Sequence, residues 1–525
     1  MRRREVLTLL AIGMAVPAVA APVQEFGYVP LGDGTKLAYT LHRPTATGKF
    51  PVLLIYNMYD ASVVTPAWNQ TETGDVTDYL ERGYAVMGVN TRGTACSTGT
   101  ADFLNARQVG SDGAEVVEWI TKQTWSDGNV GMFGHSGSGI TQFYVAAFNP
   151  PHLKAVIPGA APGDFYRDLA YPGGLFNYAF LYHWAEDAQP SQERRAAQVH
   201  IEAGDRDCGV RMRERPKSTF YWDMHGQPVN GPWWEERSAG PVASKIRVPT
   251  FIIFGWQDQN VDSRAAFVFD KLAGPRKMLL AEEGHSFYIR SNEVKREKLR
   301  FFDHWLKGEA NGTMSGRTVS VWLTMKGAVE RIPDRVVRLP GAPAGGTSMR
   351  LHLGADRRLK TAAVAGNASL EYLYPLGSAF VYGGTAYPHV PAGLGSLVFR
   401  TDPMTKPLTI LGVAEARLFV SATAPETSVQ VLVNELEPNG NRKYLQRGYQ
   451  RFSGGSAKEP IEITVSLNPT GSIIEPGNVL EFMVMAPNMT PEPFGQWGFL
   501  PLAISRNRLH MGPAHPSSLT VPIWP

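Results

Sequence analysis

The stretch GMFGHSGSG, residues 131–139, indicates the fold class, because it sets a serine among glycines between a strand-like and a helix-like segment. Residues 130–133 are typical of a short buried strand, and residues 140–148 of an apolar helix. A serine on a sharp strand-to-helix turn needs small neighbours, because the strained backbone leaves no room for side chains. At the amino end of the helix, developing negative charge is favoured. The pattern therefore predicts an α/β fold with a nucleophilic serine.

Two serines in this stretch are candidates for the nucleophile. Ser136 has Gly134 two residues before it, as in Gly-x-Ser-x-Gly, but Ser138 stands where the second glycine is usual. We take Ser136 as the nucleophile and keep Ser138 as the alternative. In such a turn His135 should point away from the serine hydroxyl, and the backbone N–H of Gly137 should face an oxyanion.

Apolar runs on both sides of the turn extend the same architecture. They are residues 51–56, 84–89, 248–254 and 277–281, with a helical pattern at 111–125 that Ser111 or Asp112 caps. Strands separated by helices predict βαβ units and a parallel sheet. The sequence thus predicts an α/β-hydrolase catalytic domain built from residues 21–162 and 245–310.

A serine nucleophile requires a base and an acid that orients the base, and α/β-hydrolases carry them in the order serine, acid, histidine. Asp258 follows the run at 248–254, and His285 follows the run at 277–281. Both then lie at the carboxyl edge of the sheet, where ligands bind. Asp258 and His285 are the predicted acid and base. The acid has three further candidates: Asp262, Glu282 and Glu283.

Two regions depart from the alternating pattern. Residues 163–244 should form a cap over the sheet, since they hold 13 aromatic residues between positions 165 and 234, about twice the chain-wide 10%. These rings form either the core of the cap or the wall of an apolar pocket. After a linker near residue 310, period-two alternation and frequent turns predict an antiparallel β-sandwich of the jelly-roll type at residues 315–525.

The amino-acid composition excludes several classes of function. Lys and Arg number 51 against 48 Asp and Glu, so the charge offers no field for nucleic acid. The two cysteines, Cys96 and Cys208, exclude a disulfide framework and a cysteine-built zinc site, and either form one bridge or remain buried thiols. The sequence has no His-Glu-x-x-His and no clustered His-x-His, and we expect neither a metal nor another cofactor.

Residues 1–20 read as a signal peptide. Three arginines precede an apolar stretch at 6–19, and a small-x-small site follows at 18–20. The arginine pair resembles a twin-arginine signal, with a Sec signal or an uncleaved anchor as alternatives. We therefore expect a nearly neutral mature protein, secreted or periplasmic, that is not bound to a membrane.

Several motifs together resemble one known group, the X-Pro dipeptidyl-peptidase/cocaine esterase family of α/β-hydrolases, which includes α-amino-acid ester hydrolases and glutaryl-cephalosporin acylases. The resemblance runs over most of the mature chain. Its motifs are Tyr59-Asp60, RGTACSTG at 92–99, WITKQTWSDGNVGM at 119–132, GWQD at 255–258, GH at 284–285, FDHWLKG at 302–308 and IIEPGN at 473–478. It implies a Ser136–Asp258–His285 triad and an oxyanion hole formed by Tyr59 and the Gly137 amide. From the residues alone, Tyr59 could equally be an ordinary loop tyrosine.

Two departures from the family pattern bear on the substrate. Gly137 stands where members commonly carry tyrosine, and Asn260 and Val261 stand where the α-amino-ester branch carries carboxylates. We therefore expect an esterase for small-molecule esters, or amides, that lack a free α-amino group. An X-Pro dipeptidyl-peptidase and a β-lactam acylase or α-amino-acid ester hydrolase are the alternatives within the family. An inactive protein that binds ligands through its sandwich is the alternative of another class, and homo-oligomerisation stays open.

Overall fold

The computed structural model describes residues 22–62, 76–326, 332–343, 346–374, 380–381, 385–386, 394–454, 459–487, 499 and 503–525. The predicted signal peptide at residues 1–20 lies outside these ranges. Among the described residues, no helix combines the length and the apolar character that a membrane span requires.

A ten-stranded sheet forms the catalytic domain, in the order β1-β2-β4-β3-β5-β6-β7-β8-β9-β10. Its strands are β1 (Val23–Pro30), β2 (Lys36–Arg43), β3 (Phe50–Asn57), β4 (Ala85–Asn90), β5 (Ser126–His135), β6 (Leu153–Gly159), β7 (Thr250–Gly255), β8 (Arg276–Ala281), β9 (Val319–Lys326) and β10 (Ile332–Leu339). Neighbours from β4 to β9 run parallel, whereas β1, β2 and β10 pair antiparallel at the two edges. The predicted α/β architecture is confirmed, and the central strands are apolar because both faces of the sheet are covered.

The helices are α1 (Val76–Glu81), α2 (Ala106–Thr121), α3 (Gly137–Ala147), α4 (Tyr178–Tyr182), α5 (Gln189–Glu202), α6 (Arg206–Glu214), α7 (Phe220–His225), α8 (Pro232–Glu235), α9 (Phe287–Arg290) and α10 (Asn292–Lys307). The predicted start of α2 at residue 111 was wrong. The helix begins five residues earlier, because the Asn105 side chain accepts the backbone N–H groups of Arg107 and Gln108. Asp112, one of the predicted caps, instead accepts hydrogen bonds from the Arg92 guanidinium.

The cap lies between β6 and β7 and contains α4 to α8. Most of its aromatic residues form a core, with Phe165 and Trp234 fully buried, but Trp222 is 63% exposed. A disulfide between Cys96 and Cys208 joins the loop after β4 to α6, so the two cysteines form a bridge. This bridge ties the cap to the catalytic domain.

The carboxyl-terminal region is a β-sandwich with its own apolar core. One sheet has the order β12-β11-β23-β17-β22-β13, with β20 also on β17, and the other β16-β21-β18-β19; β14 and β15 pair separately. The strands are β11 (Thr347–Leu353), β12 (Leu359–Lys360), β13 (Ala368–Tyr374), β14 (Phe380–Val381), β15 (Thr385–Ala386), β16 (Ser396–Arg400), β17 (Leu408–Ala422), β18 (Glu426–Leu436), β19 (Arg442–Ser453), β20 (Ile461–Ile474), β21 (Val479–Met485), β22 (Ser505–Met511) and β23 (Ser518–Trp524).

The sandwich starts later in the chain than the predicted residue 315. β9 and β10 come after that residue, yet they extend the catalytic sheet, since Met278 of β8 pairs with Val319 of β9. The first strand of the sandwich is β11, at Thr347–Leu353. Short apolar strands of either sheet look alike in sequence, so only their pairing reveals where the boundary lies.

Candidate active site

Ser136 lies at the turn between β5 and α3, where the sequence predicts a strained conformation. Its φ of 57° and ψ of −123° are unusual for a residue with a side chain, and such conformations cost on the order of 1–3 kcal/mol and cluster at functional sites. The turn closes tightly on the sheet: a Cβ added to Gly139 would lie 2.4 Å from the carbonyl oxygen of Gly159. The glycine is therefore required where α3 passes β6.

The structure separates the two candidate serines. The Ser138 side chain is buried within α3, and its hydroxyl donates a hydrogen bond to the carbonyl oxygen of His135 at 2.8 Å. Ser136 stands at the head of the helix and is only partly buried. Ser136 is thus the serine that a substrate can approach.

Asp258 and His285 meet at the carboxyl ends of β7 and β8. His285 Nδ1 lies 2.8 Å from one carboxylate oxygen of Asp258 and 3.0 Å from the other. The carboxylate also accepts the backbone N–H groups of Asn260 at 2.8 Å and Val261 at 2.9 Å. Both side chains of the pair are nearly inaccessible to solvent, at 9% for His285 and 0% for Asp258. Charge-assisted hydrogen bonds of this kind fix an imidazole in one orientation and one tautomer.

Two of the other candidate acids have different partners. Asp262 caps the short helix at Ser263–Lys271 by accepting the backbone N–H of Arg264 at 2.8 Å. Glu282 forms an ion pair with Lys443 at 2.7 Å. The acid that contacts His285 is therefore Asp258.

Tyr59 lies directly against the turn that carries Ser136. A Cβ added to Gly137 would lie 2.9 Å from the Tyr59 hydroxyl oxygen and 2.6 Å from a ring carbon. The two predicted oxyanion donors are thus neighbours, and the absence of a side chain at position 137 makes room for the phenol.

Three contacts around these residues escape sequence reasoning. The indole Nε1–H of Trp184, in the cap, donates to the Tyr59 hydroxyl at 2.5 Å. The Gln259 side chain accepts the backbone N–H of His285 at 3.0 Å. The His135 ring lies against that of His285, with centroids 5.3 Å apart. In the sequence, the aromatic cluster of the cap indicates that some ring could reach the site, but it does not identify Trp184.

A cavity of about 640 Å³ adjoins this part of the molecule. Its wall includes His285 and Gln259 from the catalytic domain, together with residues 442–444 from β19 of the sandwich. The sandwich therefore lies close to the candidate histidine, a proximity that the sequence does not reveal.

One group of possible metal ligands occurs in the described part of the chain. Atoms of Cys96, His200 and Asp205 lie within 4.8 Å of one another. However, the sulfur of Cys96 is bonded to Cys208. The Asp205 carboxylate already accepts the Tyr28 hydroxyl and the backbone N–H of Cys208. In this oxidised state the group does not offer a free set of metal ligands.

Comparison with known proteins gives consistent matches along the chain. Residues 33–287 match the family model of X-Pro dipeptidyl-peptidase (S15 family), and residues 318–520 match that of the X-Pro dipeptidyl-peptidase C-terminal non-catalytic domain. Cocaine esterase from Rhodococcus sp. (strain MB1 Bresler) is 28% identical over 94% of this chain and 97% of its own length.

Two solved structures share the whole architecture. A CocE/NonD family hydrolase from Staphylococcus aureus superposes with a TM-score of 0.78 at 21% identity, covering 96% of this chain and 94% of that chain. An α-amino acid ester hydrolase has a TM-score of 0.75 at 19% identity, covering 98% of each chain. At these identities the two structures establish the fold only.

Proposed function

This chain belongs to the X-Pro dipeptidyl-peptidase (S15) family of serine hydrolases, and from that membership we propose that it cleaves carboxylic esters through an acyl-enzyme on Ser136. The observation that carries the proposal is a set of three features: the strained Ser136 turn, the His285–Asp258 pair at 2.8 Å, and Tyr59 against Gly137. In serine hydrolases, this set of groups supplies a nucleophile, a base, an orienting acid and oxyanion donors.

In the first half of the reaction, His285 takes the proton from the Ser136 hydroxyl as its oxygen attacks the ester carbonyl carbon. The oxyanion that forms accepts hydrogen bonds from the Gly137 N–H and the Tyr59 hydroxyl. His285 then gives its proton to the departing alkoxide, leaving an acyl group on Ser136. Asp258 holds the imidazole in the required tautomer and stabilises its cation.

In the second half, His285 removes a proton from water, which attacks the acyl-enzyme. A second tetrahedral intermediate forms with its oxyanion in the same hole. Collapse expels the Ser136 oxygen, which recovers its proton from His285. The products are a carboxylic acid and an alcohol, and the enzyme returns to its starting state.

The residues after Asp258 support an ester substrate without a free amine. The backbone N–H groups of Asn260 and Val261 bind the Asp258 carboxylate, and neither side chain carries a charge that could hold an ammonium. A charge-assisted contact to a carboxylate contributes about 1.5–3 kcal/mol. An ammonium that left water without that contact would lose hydration without compensation.

The first experiment measures the hydrolysis of a p-nitrophenyl ester by the wild-type, Ser136→Ala and Ser138→Ala proteins. We expect Ser136→Ala to lose several orders of magnitude in kcat, because the attacking atom is gone. Ser138→Ala should stay close to wild type, apart from the stability cost of a lost internal hydrogen bond. The reverse pattern would make Ser138 the nucleophile.

A matched pair of esters tests the acyl preference. Phenylglycine methyl ester and phenylacetic acid methyl ester differ only by an ammonium at a pH where the amine is charged. We expect the neutral ester to have the higher kcat/KM. A tenfold advantage for the amino ester would favour the α-amino-acid ester hydrolase reading or, if X-Pro anilides are also cleaved, the dipeptidyl-peptidase that the family is named for.

We further propose that the protein is exported. The basic and apolar pattern of residues 1–20 supports this proposal, and so does the Cys96–Cys208 disulfide, because such bonds persist in oxidising compartments. Fractionation of cells expressing the full chain tests it. The mature protein should be found outside the cytoplasm, beginning near residue 21, and an intact chain confined to the cytoplasm would contradict it.

A further inference from the structure

Strand β19 of the sandwich touches the loop that carries Asp258. The Gln446 side-chain amide donates to the carbonyl oxygen of Trp256 at 2.8 Å. The neighbouring residues make a second contact, in which the Gln257 side-chain amide donates to the carbonyl oxygen of Leu445 at 3.3 Å. Two successive residues of the acid loop are thus bonded to two successive residues of β19.

The same strand also holds the loop that carries His285. Lys443 forms an ion pair with Glu282 at 2.7 Å, and the hydroxyl of Ser472, on β20, donates to the same carboxylate. The Glu282 side chain is 6% exposed, whereas the Lys443 side chain is 39% exposed. Glu282 stands three residues before His285. Residues 443–446 of β19 therefore support both loops of the proposed acid–base pair.

The backbone of the acid loop determines where the Asp258 carboxylate lies. That carboxylate is held by backbone N–H groups of its own loop, so a shift of the loop would carry it away from His285. The supporting contacts are buried: Trp256 is 1% exposed and Gln446 is 2% exposed. Water cannot readily replace a hydrogen bond lost at such a depth.

Gln446 is fixed at both ends of its amide. Its nitrogen donates to the carbonyl oxygens of Trp256 and Pro469, at 2.8 and 2.9 Å. Its oxygen accepts the backbone N–H of Arg447 and the hydroxyl of Tyr444, both at 3.0 Å. The amide therefore has one orientation, in which its N–H groups face the acid loop.

We propose that β19 of the sandwich is a positioning element of the active site, with Gln446 as its principal positioning residue and Lys443 as the second. The proposal rests on the proposed Ser136–Asp258–His285 triad. Gln446 acts through the backbone of the acid loop, and Lys443 acts through Glu282 and the histidine loop. The domain that matches a non-catalytic family model would then be necessary for full turnover.

The test compares the steady-state kinetics of the full-length Gln446→Met protein with wild type on a p-nitrophenyl ester. Methionine keeps the length of the side chain and removes its donors. We expect kcat to fall by about 10- to 100-fold with KM nearly unchanged, since a small misplacement of catalytic groups lowers turnover to this extent. The control is Gln450→Ala, on the same strand, whose side chain donates to the carbonyl of the neighbouring Arg451 and to no other described residue. It should retain wild-type kinetics.

Lys443 provides a second test that does not depend on the folding of the Gln446 variant. Lys443→Met should lower kcat with KM unchanged, and Lys443→Arg, which can still pair with Glu282, should restore most of the lost kcat.

In proton NMR spectra of Gln446→Met, the low-field signal of the His285 Nδ1–H should be weakened or lost. A general loss of stability would lower the apparent kcat through a smaller folded fraction, but the molecules that remain folded would keep this signal.

The outcomes separate this proposal from the proposed function. If Ser136→Ala is as active as wild type, the triad itself is wrong. If Ser136→Ala is inactive while Gln446→Met matches Gln450→Ala in kcat, the positioning role is overturned and the triad stands. Should Gln446→Met fail to fold, an unchanged kcat in Lys443→Met overturns it. An effect confined to KM would also overturn it.

Discussion

At the scale of single residues, we propose that Tyr59 donates a hydrogen bond to the oxyanion. Tyr59→Phe removes the hydroxyl and keeps the ring that packs against Gly137. We expect kcat to fall by roughly 10²–10³-fold with little change in substrate binding, because the donor acts on charge present only in the transition state. Steady-state kinetics on a neutral ester measure both parameters. A change in KM alone would make Tyr59 a wall of the pocket.

The Trp184 contact predicts an interaction between cap and oxyanion hole. Trp184→Phe removes the indole N–H that donates to the Tyr59 hydroxyl, so we expect a lower kcat. In the Tyr59→Phe background the same substitution should add little, because the hydroxyl it acts on is already absent.

The matched control for this cycle is Trp234→Phe. Trp234 is fully buried in the cap, and its indole N–H donates to the Gln227 carbonyl instead. This substitution should lower stability without depending on residue 59. Additive losses for Trp184→Phe and Tyr59→Phe would contradict the coupling.

The sequence indicates where a residue lies when the end of a strand determines its position. Ser136, Asp258 and His285 each follow an apolar strand, and the carboxyl ends of parallel strands meet at one edge of the sheet. Trp184 could not be found in this way. The cap has no repeating pattern that relates its residues to the sheet, so which ring reaches Tyr59 depends on tertiary packing.

At the scale of elements, the disulfide should anchor the cap. It closes a loop between positions 112 residues apart, and cross-links of this kind typically contribute about 2–4 kcal/mol to the free energy of unfolding. We expect Cys96→Ala/Cys208→Ala to be destabilised by this amount in urea titrations. A reducing agent should bring wild type to the same level and leave the variant unchanged. If reduction has no effect on wild type, the bridge does not stabilise the cap.

The cap turn at Tyr166–Ala170 predicts a dependence of stability on pH. Burial, together with the neighbouring Asp262 carboxylate, raises the pKa of Asp168 well above its ordinary value. Because the pKa is raised, the native state keeps Asp168 protonated at a pH where the unfolded chain ionises it. The contribution of Asp168 to the free energy of unfolding is therefore complete below its pKa in the unfolded chain, about 3.9, and is lost as the pH rises toward its pKa in the native state. Stability should therefore fall as pH rises above about 4.

Asp168→Asn tests this sign. Its amide oxygen can still accept the backbone N–H groups of Gly163 and Asp164. We expect a higher Tm than wild type at pH 8, by roughly 2–4 °C per kcal/mol, and no gain near pH 4. Asp164→Asn, which alters a carboxylate that is 37% exposed, is the control and should show no such gain. A lower Tm for Asp168→Asn at pH 8 would contradict the argument.

At the scale of the whole molecule, the sequence predicted the fold class of each domain better than the boundary between the domains. Alternating strands and helices indicated the catalytic domain, and period-two alternation indicated the sandwich. The pairing of β9 and β10 with the catalytic sheet could not be predicted, because the apolar pattern of a single strand does not encode its pairing partners. For the same reason the contact between β19 and the acid loop, which joins residues 190 positions apart, could not be predicted.

Mass spectrometry of the covalently labelled protein tests whether Ser136 carries the acyl group. Wild-type protein is treated with a fluorophosphonate, digested and compared with Ser136→Ala and Ser138→Ala proteins treated in parallel. We expect one adduct, on Ser136 within the peptide containing residues 131–139, present in wild type and Ser138→Ala and absent from Ser136→Ala. An adduct on Ser138, or an unlabelled protein that still hydrolyses the ester, would contradict it.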